Sequence, residues 1–328
     1  MPKVSTPILL DAPSLVSRCA FASATQELKV GGELTGGLYT SVRSLAGAVK
    51  RMSHLPRLGP VIACYDRGRH PLRSRLFPDY KANRTASSRG MTEGQLDQVR
   101  AQKRRSRSFL ASLGCRIVTV QDREADDCIA QLTHICNERG IMPVVISGDR
   151  DMWQLLGEAH VWDLNASEFV TPKILTKKFG VPPEHFVYYK ALLGDHSDNL
   201  PGIPGVGPKT VATFLAEHSD NLRTVGSPSK AIRAWLTSLA DAEFSNKRHA
   251  LIPPAVDHAV RVCRAVSLRS PGFEGEVMEQ LAERASRPRE FDRGRFERLC
   301  RKWRFMSLLA DVDITPMFET LSARKFTV

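Results

Sequence analysis

No apolar run in the sequence approaches the ~18 residues that a membrane-spanning helix needs, so no such helix and no membrane partner are expected. There is no Cys-x-x-Cys pair. The seven cysteines, at 19, 64, 115, 128, 136, 263 and 300, are an odd set, and several fall within apolar runs. They read as buried reduced thiols, which places the protein in the cytoplasm. A secretion signal is not expected either. Ala20-Phe-Ala-Ser-Ala24 has the look of a cleavage site, but Asp11 and Pro13 break the run before it. Acidic residues are in deficit, 35 against 47 basic ones, giving a net charge of +12 over 328 residues. That field suits a polyanion, although solubility alone would also account for it. Composition is otherwise that of a globular chain long enough for two domains, or for one with an extension.

The scarce acids are concentrated. Glu124-Ala-Asp126-Asp127 and, after an apolar helix-spaced stretch (Cys128 to Cys136) and a short strand-like run (Pro143 to Ile146), Asp149-Arg-Asp151 place five carboxylates at element ends. Like charges brought together oppose one another's ionisation, and a hard divalent cation with oxygen ligands relieves this. The competing reading of Glu124, Asp126 and Asp127 is a helix first turn favoured by the dipole. Two further apolar runs, Pro7-Ile-Leu-Leu10 and Val61-Ile-Ala-Cys-Tyr65, also end in aspartate, at Asp11 and Asp66. One such strand end is ordinary turn chemistry. Three would gather acids at one edge of a parallel sheet. Helical spacing over 36–53, a break at Gly59-Pro60, a helix near 95–113 and strands at Arg116–Val120 and His160–Trp162 complete an alternation that predicts an α/β fold with a largely parallel sheet.

Between Arg67 and Arg107, twelve basic residues stand against three acids, with Thr85-Ala-Ser-Ser-Arg-Gly90 flexible in composition. Such runs are usually solvated loops. This one follows directly on Asp66, so it would project over the acids. Tyr80-Lys81-Ala82-Asn83-Arg84 offers a ring for a base face and two cations for phosphates. Further on, Asp195 and Asp198 precede Gly202-Ile-Pro-Gly205-Val-Gly207-Pro-Lys209-Thr210, and a helix starts near Val211. Glycines let backbone approach a phosphate and a helix N-terminus attracts anions, which makes this a helix–hairpin–helix signature for non-specific DNA backbone binding.

In this order, from residue 7 to about 217, these motifs resemble the 5′–3′ exonuclease and flap endonuclease family, the single-domain phage enzymes and the 5′ nuclease domain of bacterial DNA polymerase I among them. The resemblance implies a PIN-like α/β domain over 1–181 with a basic arch at about 67–107. It implies a helix–hairpin–helix subdomain from 182, with a C-terminal helical region to 328. It implies two Mg²⁺ or Mn²⁺ ions, one among Asp11, Asp66, Glu124 and Asp126 with Asp127 close by, the other among Asp149, Asp151, Asp195 and Asp198. Lys81 and Arg84 would act on the scissile phosphate. Tyr80 with Lys81 and Arg84, and Gly202, Gly205, Gly207, Lys209 and Thr210, would contact DNA, and K⁺ would sit at the hairpin. The expected substrates are DNA with 5′ flaps, nicks or free 5′ ends, cut by a monomer in a bacterial or phage-infected cell to leave a 5′-phosphate. A PIN-type ribonuclease or a non-catalytic binder of branched DNA are the alternatives. The ribonucleases are shorter and lack the hairpin, and a binder would not need all nine acids. No sliding-clamp peptide is found in Thr315–Val328, and no motif beyond about 226. Leu200-Pro201 stands where the family often has a basic residue. The basic stretch Arg287–Arg304 reads as a solvated helical face.

Overall fold

The computed structural model describes residues 5–23, 28–85, 90–222, 227–269 and 273–326. Its centre is a six-stranded sheet. In chain order the strands are β1 (Thr6–Asp11), β4 (Leu58–Cys64), β5 (Arg116–Val118), β6 (Val144–Ser147), β7 (His160–Asp163) and β8 (Glu168–Phe169). A two-stranded ribbon of β2 (Lys29–Val30) and β3 (Glu33–Leu34) lies apart. The order across the sheet is β5-β4-β1-β6-β7-β8, all parallel except the β7–β8 pair. Ile8, Leu9 and Leu10 are wholly buried, as a parallel strand covered on both faces requires. Their alternation decides what packs where. Leu9, Ile62, Cys64 and Val145 face the layer that holds the helix Ala125–Glu138, while Ile8, Leu10, Ala63, Val144 and Ile146 face the other.

Around the sheet lie α1 (Ala12–Ala22), α2 (Gly36–Arg51), α3 (Pro71–Leu76), α4 (Glu93–Ser112), α5 (Ala125–Glu138) and α6 (Pro172–Phe179). The strand expected from Val61 begins three residues earlier, at Leu58, so Gly59-Pro60 does not break the chain. Pro60 has no N–H to give the ladder. The β1–β4 register shifts between Thr6, opposite Leu58, and Ile8, opposite Val61, so the irregularity falls where the donor is missing. The helix expected near 95–113 is α4, opened by a reciprocal cap between Thr92 and Gln95. It takes up the later part of the basic region, with Leu96 and Val99 buried. Residues 86–89 of the flexible stretch lie outside the described residues.

Beyond the sheet come α7 (Phe186–Leu193), α8 (Pro208–His218), α9 (Pro228–Ser238) and α10 (Val256–Val266), with α9 and α10 packed on each other and on α7. The last helices, α11 (Glu276–Ser286), α12 (Arg293–Lys302), α13 (Met306–Ala310) and α14 (Ile314–Ser322), return to the α/β layers. There α11 packs on β5, α12 on α4 and α14 on β4. The Arg116 guanidinium ties this return down by donating to the carbonyls of Ala285 (2.7 Å) and Phe326 (2.8 Å). The stretch Arg287–Arg304 is therefore more than a solvated face. Its arginines alternate with Phe296 and Cys300, which are wholly buried in the core shared with β1 and β4. Among the described residues no helix is long and apolar enough to cross a membrane.

Candidate active site and nucleic-acid interface

The carboxyl ends of β1, β4 and β6 lie side by side, and the chain leaves β1 for β4 on one side and returns to β6 on the other. This is the switch point where open α/β sheets bind ligands. The acids there also cap helices. Asp11 accepts from Ser14 N (3.0 Å) at the start of α1 and from Ser147 Oγ (2.7 Å) on β6. Asp66 accepts from Ala125 N (2.9 Å), the first residue of α5. Asp149 accepts from Asp151 N (2.9 Å) and caps the 3₁₀ turn Arg150–Leu155. Asp195 accepts from the Ser197 N–H (2.9 Å) and caps His196–Asp198. Turn chemistry and site assembly are thus one arrangement, with each cap fixing one carboxylate oxygen.

Glu124 stands at the cap of α5, with Asp126 and Asp127 in its first turn, and oxygens of all three lie within 4.8 Å of one another. Around them the basic region closes in. Arg73, 3% exposed, forks onto Asp127 with Nη1 at 3.0 Å and Nη2 at 2.8 Å, and reaches Glu124 at 2.5 Å. Asp127 also accepts from the Glu124 amide (3.2 Å), so both its oxygens are engaged. Lys81 donates to Glu124 and lies 3.7 Å from Asp198, while Arg84 pairs with Asp198. Lys81 has φ of 59°, unusual for a side-chain-bearing residue, and is held there by the hydrogen bond its backbone N–H donates to Asp198 O (2.9 Å). A conformation costing ~1 kcal/mol or more is retained where surrounding contacts over-determine it, and here it aims an ammonium at the acids. Burial opposes ionisation of Asp126, but Arg73 and Lys81 overcome it and hold the group below its usual range.

Two expectations change here. Tyr80 is 2% exposed, and its hydroxyl lies 2.9 Å from Glu124 and 3.0 Å from Asp198, so its ring offers no free face for a base. Asp198, grouped by sequence with Asp149, Asp151 and Asp195, instead faces Tyr80, Lys81 and Arg84 on the Glu124 side.

The other group is Asp149, Asp151 and Asp195, with Lys190 between the last two. Lys190 pairs with Asp151 and donates to Asp195 at 2.7 Å. Burial pushes Asp195 up, but Lys190 prevails and holds it at about 2. Elsewhere burial wins: it lifts Asp11 to about 6 and raises Asp149. The donor set is all oxygen, crowded and partly desolvated, which fits a hard divalent cation. Beside it opens a cleft of about 1290 Å³, lined among others by Arg84, Asp149, Asp151, Lys190, Asp195 and Gln95. Neither Arg73 nor Lys190 was singled out from sequence. Arg73 is one of twelve bases in its region and carries no distinguishing signal. Lys190 did carry one, as the only charge in the otherwise apolar helix Phe186–Leu193.

The hairpin is anchored by buried Ile203 and Val206, which leaves Pro204, Gly205, Pro208 and Lys209 exposed. Its glycines differ in kind. Gly205 turns the chain at φ 76°. Gly207 precedes α8, where no side chain caps the first-turn amides, and a Cβ there would meet nothing within 4 Å. Gly202 lies against α7, and a Cβ would fall 1.9 Å from Leu193 O, so it serves packing. Thr210 is 8% exposed, which leaves its side chain little to offer a phosphate. Leu200 is buried beside Phe77 and Tyr80 and holds that segment in place, where a basic residue could not.

Residues 6–180 match the N-terminal resolvase-like domain of the 5′–3′ exonucleases, and residues 181–250 their C-terminal SAM fold. The chain belongs to the 5′–3′ exonuclease family. Among curated relatives, DNA polymerase I of Mycobacterium bovis is 34% identical over 248 residues, which are 71% of this chain and 26% of the polymerase. The 5′–3′ exonuclease of Buchnera aphidicola from Acyrthosiphon pisum is 26% identical over 231 residues, 70% of this chain and 77% of that protein. The chain thus spans about a quarter of the polymerase it resembles. Among solved structures, a bacteriophage T5 flap endonuclease in a pseudo-enzyme–product complex with DNA and metal ions superimposes with a TM-score of 0.64 at 16% identity, over 91% of this chain and 99% of that one. The T5 5′-exonuclease with divalent zinc bound gives 0.63 at 17%, over 92% and 99%. At such identities the likeness is one of fold: a resolvase-like α/β domain carrying a helical SAM-like domain.

Proposed function

We propose that this member of the 5′–3′ exonuclease family is a structure-specific DNA nuclease that hydrolyses phosphodiesters at 5′ flaps, nicks and free 5′ ends and leaves a 5′-phosphate. The observation that carries the reading is the junction of two opposite features. Acids from three adjacent strand ends and two turns converge on one edge of the sheet, and Lys81 and Arg84, delivered by the basic region, meet them there. Asp11, Asp66, Glu124 and Asp126 would hold one divalent ion, Asp149, Asp151 and Asp195 the other, as Mg²⁺ or Mn²⁺. When bound, such ions supply an activated water and compensate charge on the phosphoryl oxygens.

The chain's own groups do the remaining work. Lys81 and Arg84 sit where a scissile phosphate would enter, and can transfer their hydrogen bonds from Glu124 and Asp198 to its oxygens as charge develops. Asp198 then serves to aim these two cations, and Asp127 to hold Arg73. The exposed hairpin 202–210, with Lys209 and the uncapped N-terminus of α8, would grip the duplex backbone, and its carbonyls would hold a K⁺ ion. We place the arch at 67–107, the boundary between the two units near 181, and the working protein as a monomer in the cytoplasm. The test is a 5′-labelled flap duplex offered with Mg²⁺, with EDTA, and beside a single-stranded RNA of the same sequence. Release of the flap with Mg²⁺ alone, with the RNA left intact, is expected. Cleavage of RNA in preference to the flap would replace this reading by that of a ribonuclease.

A further inference from the structure

Away from the acid edge, at the far end of the hairpin helix, three side chains form a cluster of a different chemistry. Glu217 and His218 end α8, and His249 comes from the 3₁₀ turn His249–Leu251 that lies alongside it. His249 Nδ1 is 3.4 Å and His218 Nε2 3.7 Å from the same oxygen of Glu217, and one donor atom from each residue lies within 4.8 Å of the others. A tetrahedral ion with bonds of about 2.0–2.2 Å sets its ligands about 3.3–3.6 Å apart.

The hydrogen bonds on the far side of His249 determine what its near side presents. Thr213 Oγ1 lies 3.0 Å from Lys209 O, 3.1 Å from Thr210 O and 3.1 Å from His249 Nε2. With its proton on the helix backbone it accepts from a ring N–H at Nε2, and in that neutral tautomer Nδ1 turns a lone pair toward the Glu217 oxygen. His249 is 1% exposed, and Phe214 and Phe244 wall the pair of imidazoles, with ring centroids 5.0–5.4 Å from them. A metal-bound imidazole characteristically donates its other N–H to a neighbouring oxygen, and Thr213 Oγ1 is placed to accept it from His249 Nε2.

We propose that Glu217, His218 and His249 form a second metal site, selective for a borderline divalent transition ion of the Zn²⁺ kind, with water completing the shell. Two imidazoles and one carboxylate favour such an ion over Mg²⁺, the reverse of the all-oxygen acid edge. The site fastens the end of α8 to the 249–251 turn, whose Leu251 reaches the hairpin at Gly205. It therefore rigidifies the helix that carries the hairpin.

The test is equilibrium dialysis of the full chain against Zn²⁺ in a large excess of Mg²⁺, which keeps the acid edge filled. His218→Gln, His249→Gln and the exposed control His160→Gln are run in parallel. The wild type and the control should retain one Zn²⁺ equivalent more than either site variant, whose affinity for that equivalent falls at least tenfold. Zn²⁺ should also raise the thermal midpoint of the wild type and not that of His218→Gln. His218 is the more exposed ligand, so its variant carries the result if His249→Gln does not fold. Equal Zn²⁺ uptake and equal thermal response in His218→Gln and wild type would overturn the proposal.

Discussion

Arg73 and Asp127 show what single side chains contribute at this site. Their two-pronged pair is almost fully buried, and both oxygens of Asp127 are used within the protein. Removing one partner of such a pair leaves an uncompensated charge. Arg73→Ala should therefore lower stability by about 3–5 kcal/mol, read by urea unfolding. Asp127→Asn separates anchoring from metal binding: cleavage should stay within roughly tenfold of wild type, ~1.4 kcal/mol in barrier, while stability falls. Loss of all cleavage in a folded Asp127→Asn would make it a metal ligand after all. The glycines divide in the same manner. Gly202→Ala drives a Cβ into Leu193 O and should cost several kcal/mol, whereas Gly207→Ala, with extended backbone and open space, should leave stability within about 0.5 kcal/mol. From sequence, all three hairpin glycines looked alike, because a steric requirement set by α7 is invisible in the hairpin itself.

At the scale of elements, the proposed nuclease would divide the handling of DNA between the segment Tyr80–Arg84 and the hairpin. Lys81 bonds Glu124 and lies deep at the acid edge, so under the proposed function its contact with substrate would be with the reacting phosphate. Lys81→Ala should slow single-turnover flap cleavage by on the order of a hundredfold. The dissociation constant measured in Ca²⁺ should change only a few fold, the signature of an interaction made mainly in the transition state. Parallel loss of binding and rate would make it a gripping residue. Lys209, exposed in the first turn of α8, should do the opposite. Lys209→Ala should weaken binding equally across sequences and reduce the salt slope by about one, with the single-turnover rate of saturated enzyme unchanged. The elements themselves were largely legible, since β1, β4 and β6 are continuous apolar runs ending at acids. The misreading at Gly59-Pro60 arose because a proline signals a break unless its own strand bulges against a partner, and that partner is about fifty residues away. Tyr80 misled for a related reason. A phenol beside two cations suits a base face, and only the fold shows that Leu200, Val262 and Val266 bury it.

For the molecule as a whole, the sheet is closed by helices well beyond the last recognisable motif. Ile314, Phe318 and Leu321 join the core of β1 and β4, so Phe318→Ala should cost about 3–5 kcal/mol in urea unfolding although it is far from any acid. That region was silent in sequence because a short amphipathic helix packing on a sheet leaves no fixed motif, only spacing. What was legible, the nine acids in order, is the part on which the functional account stands. The most direct measurement of that account is Asp149→Asn on a 5′-flap duplex in Mg²⁺, with cleavage and branched-DNA binding read side by side. Binding within a few fold of wild type, with no product over the time in which wild type converts all its substrate, is the predicted result. Undiminished cleavage by Asp149→Asn, or by wild type in EDTA, would contradict a metal-dependent centre at this edge of the sheet.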